Sequence, residues 1–141
     1  MAALFVAALS MALAPEGGGG SLFGARIALV ELDGPIIDVD ELLRELKGHR
    51  ANPLVKAVVI RINSPGGVVA PTQELHAALT RLRESGKPVV ASLGSVAASG
   101  GYYVAVAADK IYASPGTLTG SIGVIMRLAN VDGLDCERTA H

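Results

Sequence analysis

Ser99 is the residue of this sequence best placed to act as a nucleophile. It begins the segment SGGYY at residues 99–103, where a glycine-bearing turn runs into a short apolar helix. The first N–H groups of a helix lack partners within the helix and carry the positive end of its dipole. A hydroxyl beside them could attack a carbonyl carbon while these N–H groups hold the oxyanion. This chemistry is acyl transfer, and the N–H of Gly100 is the first candidate donor.

A second glycine turn, NSPGG at residues 63–67, follows a β-branched run upstream of Ser99. Gly66 or Gly67 is predicted to supply the second oxyanion donor. Because neither glycine has a Cβ, an extended peptide could lie alongside and pair with the backbone of residues 66–69. The residues alone leave an alternative open, in which both turns are ordinary strand–helix connections and Ser99 only caps a helix.

The general base that Ser99 would need is not evident. The histidines are interpreted as solvated, and Asp109 is interpreted as a surface charge pair with Lys110 rather than as a triad acid. Four other hydroxyls are weaker candidates for chemistry. Ser64 is expected to cap a turn, and Ser95 is expected to be a helper or a structural hydrogen-bond donor. Thr117 and Thr119 flank a tight turn and are expected to support the site indirectly at most. The three histidines are His49, His76 and His141.

Composition excludes several classes of function. The net charge is −1, from 12 Lys+Arg against 13 Asp+Glu, and no basic stripe is present, which argues against nucleic-acid binding. Cys136 is the single cysteine and cannot form an internal disulfide. No His/Cys cluster has metal-ligand spacing, so neither a metal nor another cofactor is expected.

Strand-like and helical segments alternate along the chain. Such alternation predicts an α/β fold with a largely parallel sheet, in which both glycine turns lie at the carboxyl edge where ligands bind. Gly94 to Ala98 is expected to be a loop, and Asp38 with Glu41 is expected to form a capping box. The predicted strands are residues 26–32, 55–62, 88–93 and 110–114, and the predicted helices are residues 38–48, 71–85 and 99–108.

Four segments are expected from the composition. Residues 1–14 are almost wholly apolar and suit a leader or a short membrane anchor, although a leader without membrane association remains an alternative. Residues 15–24 form a glycine-rich linker. Residues 25–126 form the folded domain, and residues 127–141 form a divergent polar tail.

Four motifs in order resemble the signal peptide peptidase A family. They are IRINSPGG at residues 60–67, AASGGYY at 97–103, AADKI at 107–111 and TLTGSIGV at 117–124. Members of this family are membrane-anchored Ser-Lys proteases with a Clp-protease/crotonase fold, and the resemblance extends from about Arg26 to Met126.

The resemblance implies Ser99 as nucleophile and a backbone oxyanion hole around Gly66 and Gly100. It also implies a lysine base downstream, with Ser121 as a hydroxyl near that lysine. Residues 127–141 contain no lysine, so we expect a chain truncated before the catalytic lysine, with a fold incomplete at its C-terminus. The lysines present are predicted to be solvated, and they are Lys47, Lys56, Lys87 and Lys110.

The expected function is therefore a serine endopeptidase that degrades hydrophobic peptides, such as cleaved signal peptides, at a membrane. The family also implies a homo-oligomer and a catalytic domain on the extracytoplasmic side of the cytoplasmic membrane. Two alternatives remain: an inactive fragment with only assembly contacts, and a crotonase-type acyl-CoA enzyme. Against the last, no carboxylate lies near the glycine turns in the sequence.

Overall fold

The computed structural model describes residues 24–125, in which three helices connect the first four of five strands. The strands are β1 (Arg26–Asp33), β2 (Val55–Ser64), β3 (Val89–Ala98), β4 (Lys110–Tyr112) and β5 (Leu118–Gly120). The helices are α1 (Asp40–Ala51), α2 (Val69–Glu84) and α3 (Gly100–Ala105).

The strands form one parallel sheet in the order β1-β2-β3-β4, and β5 pairs in parallel with the carboxyl-terminal part of β3. Because β2 and β3 are neighbours, the turns that follow them lie side by side at the carboxyl edge. The register places Ser64 opposite Ala97 just before the two turns begin. The predicted α/β class with a parallel sheet is confirmed.

The core lies between one face of the sheet and the helices. Alternate residues of β1 and β2 are buried there, among them Val30 and Ile60, and they belong to one cluster with Leu46 of α1 and Leu79 of α2. This burial fixes the strand register, because a slip by one residue would turn the apolar side chains away from the helices.

Helix α1 differs from its prediction at both ends. The Asp38 carboxylate accepts the Asp40 N–H at 3.0 Å, but the N-cap position is occupied by Val39, which makes no side-chain capping hydrogen bond. The expected capping box of Asp38 and Glu41 therefore does not form. The helix also continues past Gly48 to Ala51. Lys87 Nζ donates to the carbonyls of His49 at 2.6 Å and Asn52 at 2.7 Å, and thereby satisfies carbonyl groups at the extended end.

Strand β3 is longer than predicted, because the expected loop at residues 94–98 is its last part. The Asn63 side chain accepts the Val96 N–H at 3.3 Å, and β5 pairs with residues 96–98. These contacts between distant segments hold an extended backbone that local sequence does not signal. Helix α3 is correspondingly short and ends at Ala105.

Some predictions concern segments outside the described part. The predicted leader at residues 1–14, residues 15–23 of the linker and the tail at residues 127–141 lie outside the described residues. Between residues 24 and 125, no helix has the length and apolar character needed to cross a bilayer.

Candidate active site

Ser99 stands at the junction of β3 and α3 with an unusual backbone conformation. Its φ is 51° and its ψ is −118°, a region that costs a residue with a Cβ about 1–3 kcal/mol. The Ser99 N–H donates to the Gly120 carbonyl at 2.7 Å, and the Tyr103 N–H donates to the Ser99 carbonyl at 2.9 Å. The strained backbone is thus held from both sides. Within residues 24–125 the Ser99 hydroxyl has no hydrogen-bond partner, and it lines a groove.

The two glycine turns meet at Ser99. A Cβ placed on Gly66 would lie 2.6 Å from the Gly100 nitrogen and 2.9 Å from the Ser99 Cβ. Gly66 also has a φ of +96°, which favours glycine in its own right. Contact this close requires the absence of a side chain at Gly66, so the backbones of the two turns pack directly against each other.

The N–H groups of the first turn differ in their availability. The Gly66 N–H donates to the Ser64 hydroxyl at 3.1 Å, so Gly66 supplies close approach rather than a free donor. The Gly66 carbonyl accepts the Ile36 N–H at 3.0 Å, and the Val68 N–H donates to the Ile36 carbonyl at 2.7 Å. In this parallel bridge the N–H of Gly67 points away from Ile36.

Gly67 and Gly100 both line the groove that Ser99 lines. Neither N–H has an acceptor among the described residues. Two unpaired N–H groups beside a free hydroxyl are the arrangement that stabilises a tetrahedral oxyanion. The sequence left the choice between Gly66 and Gly67 open, and the hydrogen bonds leave Gly67 as the available donor.

The groove has a volume of about 750 Å³ and mostly apolar walls. Among the described residues it contains no carboxylate and no lysine. Polar groups come from Thr72, Gln73, Ser99 and Ser121, and the apolar walls include Val69, Tyr103, Val106, Ile122, Val124 and Ile125. The sequence analysis did not predict that these residues line a groove. The apolar run after Ser121 could have indicated Ile122, Val124 and Ile125.

Ser121 reaches the groove because β5 runs beside the end of β3. It follows Gly120, whose carbonyl accepts the Ser99 N–H, and it has a φ of 51°. Thr119 donates from its hydroxyl to the Ala97 carbonyl at 2.8 Å, and Thr117 donates to the Gly94 carbonyl at 2.9 Å. These two hydrogen bonds hold the segment that contains β5 against β3.

No lysine of the sequence lies near the groove. Lys56 and Lys110 are exposed near the amino ends of β2 and β4, and Lys87 is tied to the end of α1 at the same edge. Lys47 is exposed on α1. Lys56, Lys87 and Lys110 therefore lie at the edge of the sheet opposite to Ser99, and none of the four lysines lines the groove.

Asp109, His49 and His76 contact residues other than Ser99. Asp109 accepts the Val89 N–H at 2.8 Å and lies 4.0 Å from the Arg83 Nε, so its ionic contact is with Arg83 and not with Lys110. His49 contacts Glu45 at 3.2 Å. The His76 ring contacts the Tyr103 ring with the centroids 4.6 Å apart and the planes tilted by 36°, and of the two residues only Tyr103 lines the groove.

Comparison with known protein families and sequences identifies relatives that are peptidases by name. Residues 81–136, which include Ser99 and Ser121, match the model of peptidase family S49. Protease 4 of Salmonella typhi is 44% identical over 110 residues, which cover 72% of this chain and 18% of that protein. Putative signal peptide peptidase SppA of Enterococcus faecium is 38% identical over 92 residues, covering 65% of this chain and 27% of that protein. The chain thus spans a small part of these relatives.

Solved structures show the same fold. The membrane-bound stomatin-specific protease 1510-N, in a mutant form, superposes with a TM-score of 0.60 at 20% identity, covering 78% of this chain and 54% of that one. An enoyl-CoA hydratase/isomerase family member gives a TM-score of 0.53 at 21% identity, covering 62% and 43%. The predicted Clp-protease/crotonase-like fold is confirmed.

Proposed function

We propose that this chain is a member of peptidase family S49 and that it supplies the nucleophile and the oxyanion donors of a serine endopeptidase. The observation that carries the proposal is the free Ser99 hydroxyl beside the unpaired N–H groups of Gly67 and Gly100 in one groove. Gly66 supports them by permitting the close contact of the two turns. Ser121, which the family resemblance places near the base, lines the same groove.

In the proposed reaction an extended peptide pairs with the backbone of residues 66–69. Ser99 Oγ attacks the carbonyl carbon of the scissile bond, and its proton passes to a base. The new oxyanion accepts hydrogen bonds from the N–H groups of Gly67 and Gly100. Collapse of the tetrahedral intermediate leaves an acyl group on Ser99 and releases the amine, and water then hydrolyses the ester.

The proposed base is a lysine that comes from outside these 141 residues. All four lysines of this sequence lie away from the groove, so none can receive the Ser99 proton. A lysine works as a base only when its pKa falls from about 10.4 towards neutrality, which requires desolvation. The apolar side chains of Ile122 and Val124 line the groove that such a lysine would enter. The chain alone is therefore expected to be nearly inactive.

The proposed substrates are hydrophobic peptides, including cleaved signal peptides. The groove walls are apolar, with Ile122 84% and Ile125 91% exposed and free to contact a substrate. One relative is named a putative signal peptide peptidase, and a protein of the same fold is named a membrane-bound protease. We extend the proposal to a homo-oligomer attached to the extracytoplasmic side of the cytoplasmic membrane.

The groove argues against acyl-CoA chemistry despite the shared fold. Enolate formation needs a base at the substrate's α-carbon, and among residues 24–125 no Asp or Glu lines the groove. Binding of a CoA thioester by this chain would favour that alternative.

A fluorophosphonate probe tests the proposal on the 141-residue chain. Phosphonylation joins Ser99 Oγ to phosphorus and expels fluoride, and peptide mass spectrometry locates the adduct. We expect slow labelling at Ser99 that rises with pH and with added ethylamine, whose neutral form can replace the missing lysine. Ser99→Ala should abolish the label, and Ser95→Ala should preserve it. Labelling spread over several serines, or fast peptide hydrolysis without ethylamine, would contradict the proposal.

A further inference from the structure

Ser64 has a fully buried hydroxyl that the acyl-transfer steps do not use. Its relative exposure is 0%, whereas serine side chains are mostly exposed in folded proteins. Its oxygen accepts the Gly66 N–H at 3.1 Å across the intervening Pro65. A hydrogen bond from residue i+2 to a serine oxygen is a local turn contact, but here it lies next to a proposed oxyanion donor.

Gly66 is the pivot of the turn because its Cα joins two peptide planes. The first plane carries the Gly66 N–H, and the second carries the Gly66 carbonyl together with the Gly67 N–H. Since Gly66 has no Cβ, little in its own structure fixes the angle between these planes. The observed φ of +96° therefore depends on contacts made by each plane.

Each plane is held by one hydrogen bond. The Ser64 hydroxyl holds the first plane through the Gly66 N–H, and the Ile36 N–H holds the second through the Gly66 carbonyl at 3.0 Å. In a trans peptide the C=O and N–H point in opposite directions. The Gly67 N–H consequently points away from Ile36, and Gly67 lines the groove.

The residue after Gly100 lies close to Ser64. A Cβ on Gly101 would lie 2.7 Å from the Ser64 carbonyl oxygen and 3.3 Å from the Ser64 Cβ. Helix α3 thus packs directly on Ser64, and the same helix starts with the second proposed donor, Gly100. Ser64 therefore connects the orientation of the first turn with the position of the helix that follows Ser99.

We propose that Ser64 is a positioning residue that fixes the first peptide plane at Gly66 and, together with the Ile36 contact on the second plane, directs the Gly67 N–H at the oxyanion. The proposal deepens the proposed function and rests on it for the identity of the oxyanion. Ser64 touches neither the substrate nor the reacting atoms, and its effect passes through Gly66. Loss of its hydroxyl should weaken stabilisation of a tetrahedral adduct without weakening the binding of an uncleaved peptide.

Amide hydrogen exchange measured by NMR tests the orientation without any chemistry at Ser99. In the wild-type chain the Gly66 N–H should be protected. Ser64→Ala and Ser64→Cys should increase its exchange rate at least tenfold while amides of the core strands, such as Ile60 and Ala91, stay protected. The cysteine variant keeps the shape of the side chain with a slightly larger atom and a weaker acceptor, so the two variants together separate loss of the hydrogen bond from a change of volume. Unchanged Gly66 exchange in both variants would overturn the proposal.

Binding of a hydrophobic peptidyl boronic acid tests the consequence. Ser99 Oγ adds to boron and loses its proton to solvent, which gives a tetrahedral boronate with one oxygen in the oxyanion position. Ser64→Ala and Ser64→Cys should weaken this binding about 10- to 100-fold, below the loss expected for removing a donor outright. The Kd of the matching peptide amide should not change. Ser92→Ala, which removes a hydroxyl bonded to Arg61 on β2, is the control and should leave both constants unchanged.

The outcomes separate the two proposals. Boronate affinity that is equal in wild type and Ser64→Ala, with Ser99→Ala much weaker, would overturn the role of Ser64 and retain the proposed function. If the wild type binds the boronate no better than Ser99→Ala does, the proposed function fails, and the exchange of Gly66 alone then decides whether Ser64 orients the turn.

Discussion

Glycines at the two edges of the sheet have different physical roles. At the carboxyl edge, a Cβ on Gly66 or Gly100 would come within 3.0 Å of another residue. At the amino edge, a Cβ on Gly48 or Gly86 would meet nothing within 4 Å. Gly48 and Gly86 serve at most the local conformation, whereas Gly66 allows two backbones to touch. Composition alone cannot distinguish these roles, and the contacts around each glycine can.

Replacing a glycine of positive φ at each edge gives the largest expected contrast. Gly66 and Gly86 have similar φ angles, +96° and +85°, so alanine is strained in both places. Gly86→Ala should cost about 1–2 kcal/mol from that strain alone. Gly66→Ala should cost about 3–5 kcal/mol, because the new methyl also collides with the Gly100 nitrogen. Urea unfolding of the two variants measures the difference, and equal losses would show that the turns do not touch.

A second comparison uses two glycines inside helices, Gly48 and Gly101. Neither has a positive φ, so the stability of their alanine variants depends only on helix propensity and space. Gly48→Ala in α1 should raise the free energy of unfolding by about 0.5–1 kcal/mol, because alanine favours helices and space is open. Gly101→Ala in α3 should lower it by about 1–3 kcal/mol, because the methyl would lie 2.7 Å from the Ser64 carbonyl oxygen. Thermal unfolding of both variants checks the opposite signs, and stabilisation by Gly101→Ala would contradict the packing of α3 on Ser64.

The same comparison explains how much the sequence could predict. The order of strands and helices and the meeting of two glycine turns follow from alternation and from the shared edge of parallel strands. The choice of Gly67 over Gly66 as donor does not follow, because it depends on Ile36, which reaches the turn from the loop after β1. The extension of β3 to Ala98 likewise depends on Asn63 and β5, which are distant in sequence. Contacts of this kind have no local signal.

Replacing Lys87 gives the smallest expected change in stability. The same variant tests whether a lysine at the amino edge takes part in chemistry at the carboxyl edge. The Lys87 ammonium group donates to the carbonyls of His49 and Asn52, both at the end of α1. Lys87→Met keeps most of the apolar stem and removes both hydrogen bonds, so the chain should lose about 1–3 kcal/mol of stability in urea unfolding. Lys56→Met is the matched control, since Lys56 is exposed, and it should lose almost nothing. Fluorophosphonate labelling of Ser99 should proceed at the same rate in both variants as in wild type, measured where all three are fully folded. A labelling rate that fell in Lys87→Met alone would place the base on this chain and would overturn the proposal that it comes from outside.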